Sequence, residues 1–303
     1  MKKNLLYLSL LSFLLIASSA LSLSKVNFLS SKNPFKTEKS FAPLPVLSAN
    51  SSFPVVSAQA AIVVDLDSGV SLYEKDPDRK LFPASTTKII TALVAMDYFP
   101  DDYIVKINNI KVDGQKMGLT KGEELKISDL LYGLLVFSAN DAAETIAQNY
   151  PGGREMFVTA MNLKAKQLSL NNSHFTNPSG LDENEHYSTA RDLTRVAQVA
   201  MKNAGFAQIV GTKETIVKSV DGKKTHKLVN INELLGNVEG VLGVKTGWTE
   251  NARENLVTYI ERDNHKIMIS ILGSQDRFGE TKEMIDWIFA NYKWEEVKYP
   301  HSP

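Results

Sequence analysis

The period of the hydrophobic pattern changes twice along this chain, and the order of those changes limits the fold more than any single motif does. Residues 60–73, AAIVVDLDSGVSLY, alternate as a hairpin: Ile62 to Leu66, a turn at Asp67-Ser68-Gly69, and Val70 to Tyr73 returning. The apolar residues then fall at helical intervals, in segments of about Thr86 to Tyr98, Ile127 to Val136, Asp141 to Asn149, Arg154 to Leu168 and Thr189 to Lys202. Phe157, Met161, Ala165 and Leu168 make one apolar stripe on the fourth of these, which reads as core, and Ser188 and Thr189 are candidate caps of the fifth. Alternation returns from about Lys213, first as a hairpin around Asp221-Gly222. It continues as GVLGVKTGW, ENLVTYIE and KIMISILG, the last two joined by Asp263-Asn264, and a helix from about Phe278 to Tyr292 closes the pattern. Strands at both ends with helices between them describe an α+β domain, an antiparallel sheet formed by both ends of the domain with an inserted helical lobe. A groove between sheet and lobe is where a site is expected.

The chain has 303 residues, and its first part does not belong to that pattern. MKKNLLYLSLLSFLLIASSALSLSK carries Lys2 and Lys3, an uncharged apolar run, and then small residues at Ser18-Ser19-Ala20, the layout of a secretory leader. Asn4 to Ser24 is also long enough to cross a bilayer if it is not cut. Residues 1–25 are therefore expected to be a signal peptide or an N-terminal membrane anchor, and all that follows to be exported, to the extracytoplasmic face of the cell membrane, the periplasm or the wall. Residues 26–57 hold Pro34, Pro43, Pro45 and Pro54 among many serines and read as a linker. That leaves a folded domain expected over 58–295 and a short tail over 296–303.

Composition removes several classes of function. Lys+Arg 34 balances Asp+Glu 34, so no overall field attracts nucleic acid, and no nucleic-acid partner is expected. With Cys 0 there is no disulfide, no thiolate metal site and no cysteine nucleophile. His174, His186, His226, His265 and His301 show no metal-ligand spacing and read as surface or turn residues, so neither a metal nor a cofactor is expected. Trp248, Trp287 and Trp294 read as core or rim aromatics, with Trp248 placed to line the groove.

Chemistry is suggested by PASTTKIITALVAM, residues 83–96, where Ser85 and Lys88 stand three apart at a helix start and so share one face. A cation in the first turn opposes the helix dipole. A serine hydroxyl needs a neighbour to take its proton. Lysine does this only when neutral, which requires its pKa to come down from about 10.4 to near 7, roughly 4 kcal/mol. Helix-terminal charge, burial and a second cation all push that way. The pair alone is weak evidence, because Ser22 and Lys25 repeat the spacing inside the leader. Two further stretches strengthen it. Ser138-Ala139-Asn140 is a short polar loop between helices, with a hydroxyl to pass protons and an amide to hold a carbonyl. Lys245-Thr246-Gly247 ends a strand, with a second cation, a hydroxyl and a glycine that lets an extended substrate lie against the edge.

Ser85 to Ser138 is 138−85 = 53 residues and Ser138 to Lys245 is 245−138 = 107, and the three motifs fall at a helix start, an interhelical loop and a strand end. The set resembles that of the penicillin-recognising serine enzymes. FPASTTKIITALVA, FSANDAAETIA, FTNPSGLDENEHYSTARDL and GVKTGWTENARENLV are most similar to the D-alanyl-D-alanine carboxypeptidases, the low-molecular-mass penicillin-binding proteins, over roughly residues 58 to 292. The resemblance implies a β-lactamase/transpeptidase-like fold and acyl transfer through an ester on Ser85, with Lys88 as general base and Ser138 as proton relay. It implies substrate binding by Asn140, Lys245, Thr246, Gly247 and Trp248, and an oxyanion hole from the backbone N–H groups of Ser85 and Trp248. The partners it implies are peptidoglycan stem peptides ending in D-Ala-D-Ala and β-lactams as covalent inhibitors, with the membrane reached through the N-terminal segment if that is uncleaved.

Many members continue into a second, β-rich domain and a C-terminal amphipathic helix, so attachment here is expected from the N-terminus. ENARENL lacks a glycine often found at that point. Arg277 is a candidate aid to carboxylate binding, with a surface arginine the plainer reading. Two alternatives stay open: a β-lactamase, although no Glu-x-x-Leu-Asn stretch is found, and a non-catalytic sensor that binds penicillin or peptidoglycan.

Overall fold

The computed structural model describes residues 42–49 and 51–297, and the leader expected over 1–25 lies outside them. The first described elements are strands β1 (Leu44–Leu47), β2 (Ala60–Asp65) and β3 (Ser71–Lys75). A 3-10 turn, Ala84–Thr87, runs straight into helix α1 (Lys88–Tyr98). The lobe continues with β4 (Ile104–Lys106), β5 (Glu124–Lys126), α2 (Ile127–Leu135), α3 (Asn140–Gln148), α4 (Gly153–Gln167), α5 (Ala190–Ala200) and α6 (Ala204–Val210). After the hairpin β6 (Glu214–Lys218) and β7 (Thr225–Val229) come β8 (Val241–Thr249), β9 (Arg253–Arg262), β10 (His265–Ser274), α7 (Arg277–Asn291) and β11 (Tyr292–Glu295).

The main sheet has the order β3-β2-β10-β9-β8, antiparallel throughout, so the two ends of the domain meet in it as the pattern predicts. Its central strand, β10, is buried from Ile267 to Ser274 because both faces are covered. Ile267, Ile269 and Ile271 face Met284, Ile285 and Ile288 of α7, while Met268 and Leu272 belong to the core shared with the helical lobe. This is the two-residue period of a strand used on both sides at once. Ser270 on the lobe side is fully buried, and its hydroxyl lies 2.7 Å from that of Thr194. Helix α1 is buried from Lys88 through Ala95. A helix apolar all round belongs inside a core, and this one carries Lys88 into the interior at its first position.

Folded structure begins well before Ala58, in residues that read as linker. Strand β1 pairs with β11, Leu44 opposite Glu295 and Leu47 opposite Tyr292. Its Pro45 is tolerated because this is a two-stranded edge pair with no central ladder to break. Beyond it the chain straps the back of α7. Phe53 packs on Trp287 with ring centroids 5.1 Å apart. Carbonyls of the strap accept from side chains of the domain: Trp287 Nε1 to Ser52 (2.7 Å), Tyr73 Oη to Pro54 (3.3 Å) and Lys75 Nζ to Val56 (2.7 Å). Strands β4 and β5 and helix α6 were also not expected, being too short to show a period.

The missing glycine of ENARENL has a backbone consequence. Arg253 opens β9 with φ 57, in the left-handed region where a side chain is strained. Its side chain is exposed and enters no ion pair among the described residues. Arg253→Gly relieves the strain at the cost of a more flexible unfolded chain, for an expected net gain of about 0.5–1 kcal/mol. Thermal unfolding checks this: the midpoint should rise, and a fall would show that the arginine is not strained there.

Candidate active site

Three short segments converge between sheet and lobe on a cleft of about 880 Å³, lined among others by Ser85, Ser138, Asn140, Thr246, Trp248 and Arg277. The 3-10 turn presents Ser85 half-buried at its floor, while Lys88, one turn on, has no exposed surface. The Lys88 Nζ lies 2.9 Å from Ser85 Oγ, 2.6 Å from Asn140 Oδ1 and 2.5 Å from the Ser179 carbonyl. The last two atoms only accept. The Asn140 amide is oriented by its own Nδ2, which donates to the Asp113 carbonyl at 2.7 Å. A neutral amine has two hydrogens and one lone pair. With both hydrogens given to Asn140 and Ser179, the lone pair is left facing the Ser85 hydroxyl.

The electrostatics favour that neutral state. Burial pulls the Lys88 amine from its ordinary 10.5 down to about 7, with the Glu144 and Asp141 carboxylates pulling the other way. Glu144 is held back from a stronger effect by its ion pair with Arg154 at 2.9 Å and by burial, which raises its own pKa. Lys245 is also fully buried and lies well below its ordinary value, first through burial and then through the Lys88 and Arg277 charges.

The second and third motifs meet directly. Lys245 Nζ donates to Ser138 Oγ at 2.9 Å and to the Thr246 carbonyl at 3.0 Å. Ser138 takes φ 62 to aim its hydroxyl this way, and such strain gathers at sites where function needs it. Lys245 and Lys88 both lie behind the cleft wall rather than on it. On the cleft wall stands Thr246, whose Oγ1 is buried without a partner among the described residues. Beside it stands Arg277, which donates to the Gly247 carbonyl at 3.1 Å, while its Nε is buried and, among the described residues, also without a partner. Arg277 is therefore part of the cleft, not the surface residue that the plainer reading made it. Asp276 caps α7 by accepting from Gly279 N at 2.8 Å, and Glu254 accepts from Arg277 N at 2.9 Å, so the arginine is fixed from its backbone outward.

Two glycines allow the elements to close on Ser85. A Cβ on Gly247 would meet the Pro83 carbonyl at 3.0 Å and Ser85 N at 3.1 Å, and one on Gly180 would fall 1.9 Å from the Ala84 carbonyl. Gly180 also has φ +86, which a side chain resists. It lies in TNPSGL, the stretch that supplies the Ser179 carbonyl to Lys88, and Asn177 Oδ1 holds that turn by accepting from Gly180 N (2.7 Å) and Leu181 N (3.1 Å).

Ser179 was not singled out from the sequence, since it acts through a carbonyl that any residue has. His186 corrects the expectation of a surface histidine. It is 1% exposed, and because Thr176 N donates to its Nδ1 at 3.0 Å, the ring proton sits on Nε2 and points to Thr87 Oγ1 at 2.9 Å. Burial, aided by His174 and Lys88, lowers its pKa to about 4, so it is a neutral pin between this loop and the turn before Lys88. His301 lies outside the described residues. Trp248 is 63% exposed on the cleft rim, and Trp287 and Trp294 pack with aromatic neighbours on the strap side.

Comparison with known proteins adds a family to this geometry. A family model described as D-alanyl-D-alanine carboxypeptidase matches residues 48–276. A D-alanyl-D-alanine carboxypeptidase of Bacillus subtilis is 33% identical over 246 residues, covering 78% of this chain and 63% of the relative. One of Mycobacterium tuberculosis is 35% identical over 243 residues, covering 77% and 82%. The crystal structure of the Streptomyces K15 DD-transpeptidase superposes with a TM-score of 0.73 at 30% identity, covering 79% of this chain and 99% of that one. The chain thus spans under two thirds of the Bacillus relative and most of the other two.

The closeness of Gly180 to the Ser85 turn can be tested alone. Gly180→Ala should lower stability by roughly 1–3 kcal/mol through the forced φ and the collision with Ala84. Denaturant unfolding with an unchanged slope would confirm it, and an undisturbed midpoint would show that the turn yields freely.

Proposed function

The chain belongs to the D-alanyl-D-alanine carboxypeptidase family, and on that premise we propose that it is a serine-type carboxypeptidase removing the terminal D-alanine from peptidoglycan stem peptides through an acyl-enzyme on Ser85. The observation that carries this is the Lys88 amine, held 2.9 Å from Ser85 Oγ with its hydrogens directed elsewhere. The stem peptide lies along the free edge of β8. Its terminal carboxylate meets the Thr246 hydroxyl and the Arg277 guanidinium, with the Lys245 amine behind them bonded to Ser138. Asn140 and Trp248 flank the peptide, and Gly247 gives it room.

Lys88 takes the Ser85 proton as Oγ attacks the carbonyl between the two D-alanines. The oxyanion is held by the N–H groups of Ser85 and Trp248, a stabilisation worth several kcal/mol in such sites. Ser138, tied to Lys245, relays the proton taken up by Lys88 to the departing amine, the C–N bond breaks and D-alanine leaves, so that Lys88 is neutral again and Ser138 keeps its hydroxyl. Water then cleaves the ester, giving the shortened peptide and restoring the hydroxyl. A β-lactam enters by the same attack on its ring carbonyl and remains as an ester on Ser85. This chemistry belongs to an exported protein, and the leader-like residues 1–25 ahead of the folded domain supply that route.

A fluorescent penicillin and a stem pentapeptide test the proposal together. Lasting label and released D-alanine are expected from the native protein, and neither from Ser85→Ala; survival of either signal in that variant sinks the assignment. Rapid loss of label with intact peptide would mark a β-lactamase, and label without release a sensor. Because Lys88 must lose its proton, the acylation rate should rise with pH through about 7 and fall about tenfold per pH unit below it. A rate independent of pH from 5 to 8 would exclude Lys88 as the base.

A further inference from the structure

One wall of the cleft is the loop 107–123, which supplies Asp113, Gly114 and Gln115. Its neck is closed by Ile107 N to the Glu123 carbonyl and Gly122 N to the Ile107 carbonyl, both at 2.8 Å. On the inner side α3 holds it. Asn140 N donates to the Gln115 carbonyl at 2.7 Å, and the Asn140 amide donates to Asp113. The Asp141 carboxylate accepts from the backbone N–H of Met117, Gly118 and Leu119 at 2.9–3.0 Å. The same Asn140 amide that grips the loop also accepts from Lys88, so loop position and base position are linked through one side chain.

On the outer side the loop is held by a pair that the reaction itself does not use, and that corrects the reading of His226 as a surface residue. His226 on β7 has its side chain 7% exposed, and that of Glu123 is 1% exposed. His226 Nδ1 lies 3.0 Å from the Met117 carbonyl, and Nε2 lies 2.6 Å from Glu123 Oε1. The carbonyl can only accept, so Nδ1 carries a proton. A second proton must then lie between Nε2 and the carboxylate, because a ring lone pair facing a carboxylate oxygen in a dry site repels it. Glu123 Oε2 accepts from Thr120 N and Oγ1, and Lys224 Nζ stands 3.9 Å away. Lys121, Glu124, Asp221 and Lys223 line the cavity outside this pair.

We propose that His226 and Glu123 form a buried two-proton clamp that holds the 107–123 loop against α3, fixing Asn140 and through it the Lys88 amine, so that His226 is a positioning residue for attack by Ser85. The clamp rests on the assignment of Ser85 and Lys88 given above. Loss of either the Met117 or the Glu123 contact frees the outer side of the loop.

The second-order rate of labelling by a fluorescent penicillin, measured from pH 5 to 8, tests this with two variants. His226→Ala removes both contacts and should slow acylation on the order of ten- to a hundredfold across the range, since a small misplacement of a reacting group costs that much. Glu123→Gln is the sharper variant. Its amide donates to a neutral Nε2 while Nδ1 keeps its proton on Met117, so both contacts survive without the second proton. Labelling should then stay near the native rate. A Glu123→Gln rate that falls as far as that of His226→Ala overturns the clamp, as does a His226→Ala rate equal to the native rate. If His226→Ala does not fold, Glu123→Ala decides, since it removes the Nε2 partner, and a native rate there overturns the clamp. A native protein that takes no label at any pH overturns the function itself, which is a different result from either of these.

Discussion

The structure turns on an amine with no exposed surface and three oxygen partners. Lys88 sits at the first position of a helix that runs through the core, so its side chain has no route to water. A buried ammonium is costly, and the usual outcome is a shifted pKa and a neutral group. Its partners come from the turn before it, from α3 and from the 177–181 segment. Because two of them accept only, the lone pair is directed by elimination to the third. The Lys88 amine is therefore not placed by its own rotamer alone but by the packing of the lobe around it.

The remaining features of the cleft follow from the need to bring those elements so close. Gly180 and Gly247 both approach the Ser85 turn, where a side chain would collide with the Ala84 carbonyl at the first and crowd Pro83 and Ser85 backbone at the second. Ala84 and Ser138 take φ 47 and φ 62 at the same junction. His186 pins the turn from one side, and Asn140 joins it to the 107–123 loop on the other. Lys245 is behind Ser138 rather than on the cleft wall, where Thr246 and Arg277 stand instead. Such preorganisation suits a reaction whose charge appears only in the transition state.

Much of this was legible in the residues. The change of period from two to 3.6 and back forces the ends of the domain into one sheet, and the cation at Lys88 is out of place for a surface helix start. The spacing of Ser138 and Lys245 gave no distance, yet each stood where a groove was expected, and their hydroxyl and amine are in contact. What stayed hidden has a common cause. The Ser179 carbonyl, the strap carbonyls of Ser52, Pro54 and Val56, and the Met117 carbonyl act through backbone, which carries no sign in a sequence. His186 and His226 looked like surface residues because their partners, Thr87 and Glu123, are 99 and 103 positions away. Proline in β1 masked a strand that needs only one neighbour.

The protonation state of Lys88 can be observed without turnover. Lysine labelled with carbon-13 at Cε reports each amine by NMR, and Lys88→Met identifies the signal to follow. The account predicts a midpoint near 7 for that signal. A Lys88 signal that titrates only near 10.5, in a protein that still acylates at neutral pH, would contradict it.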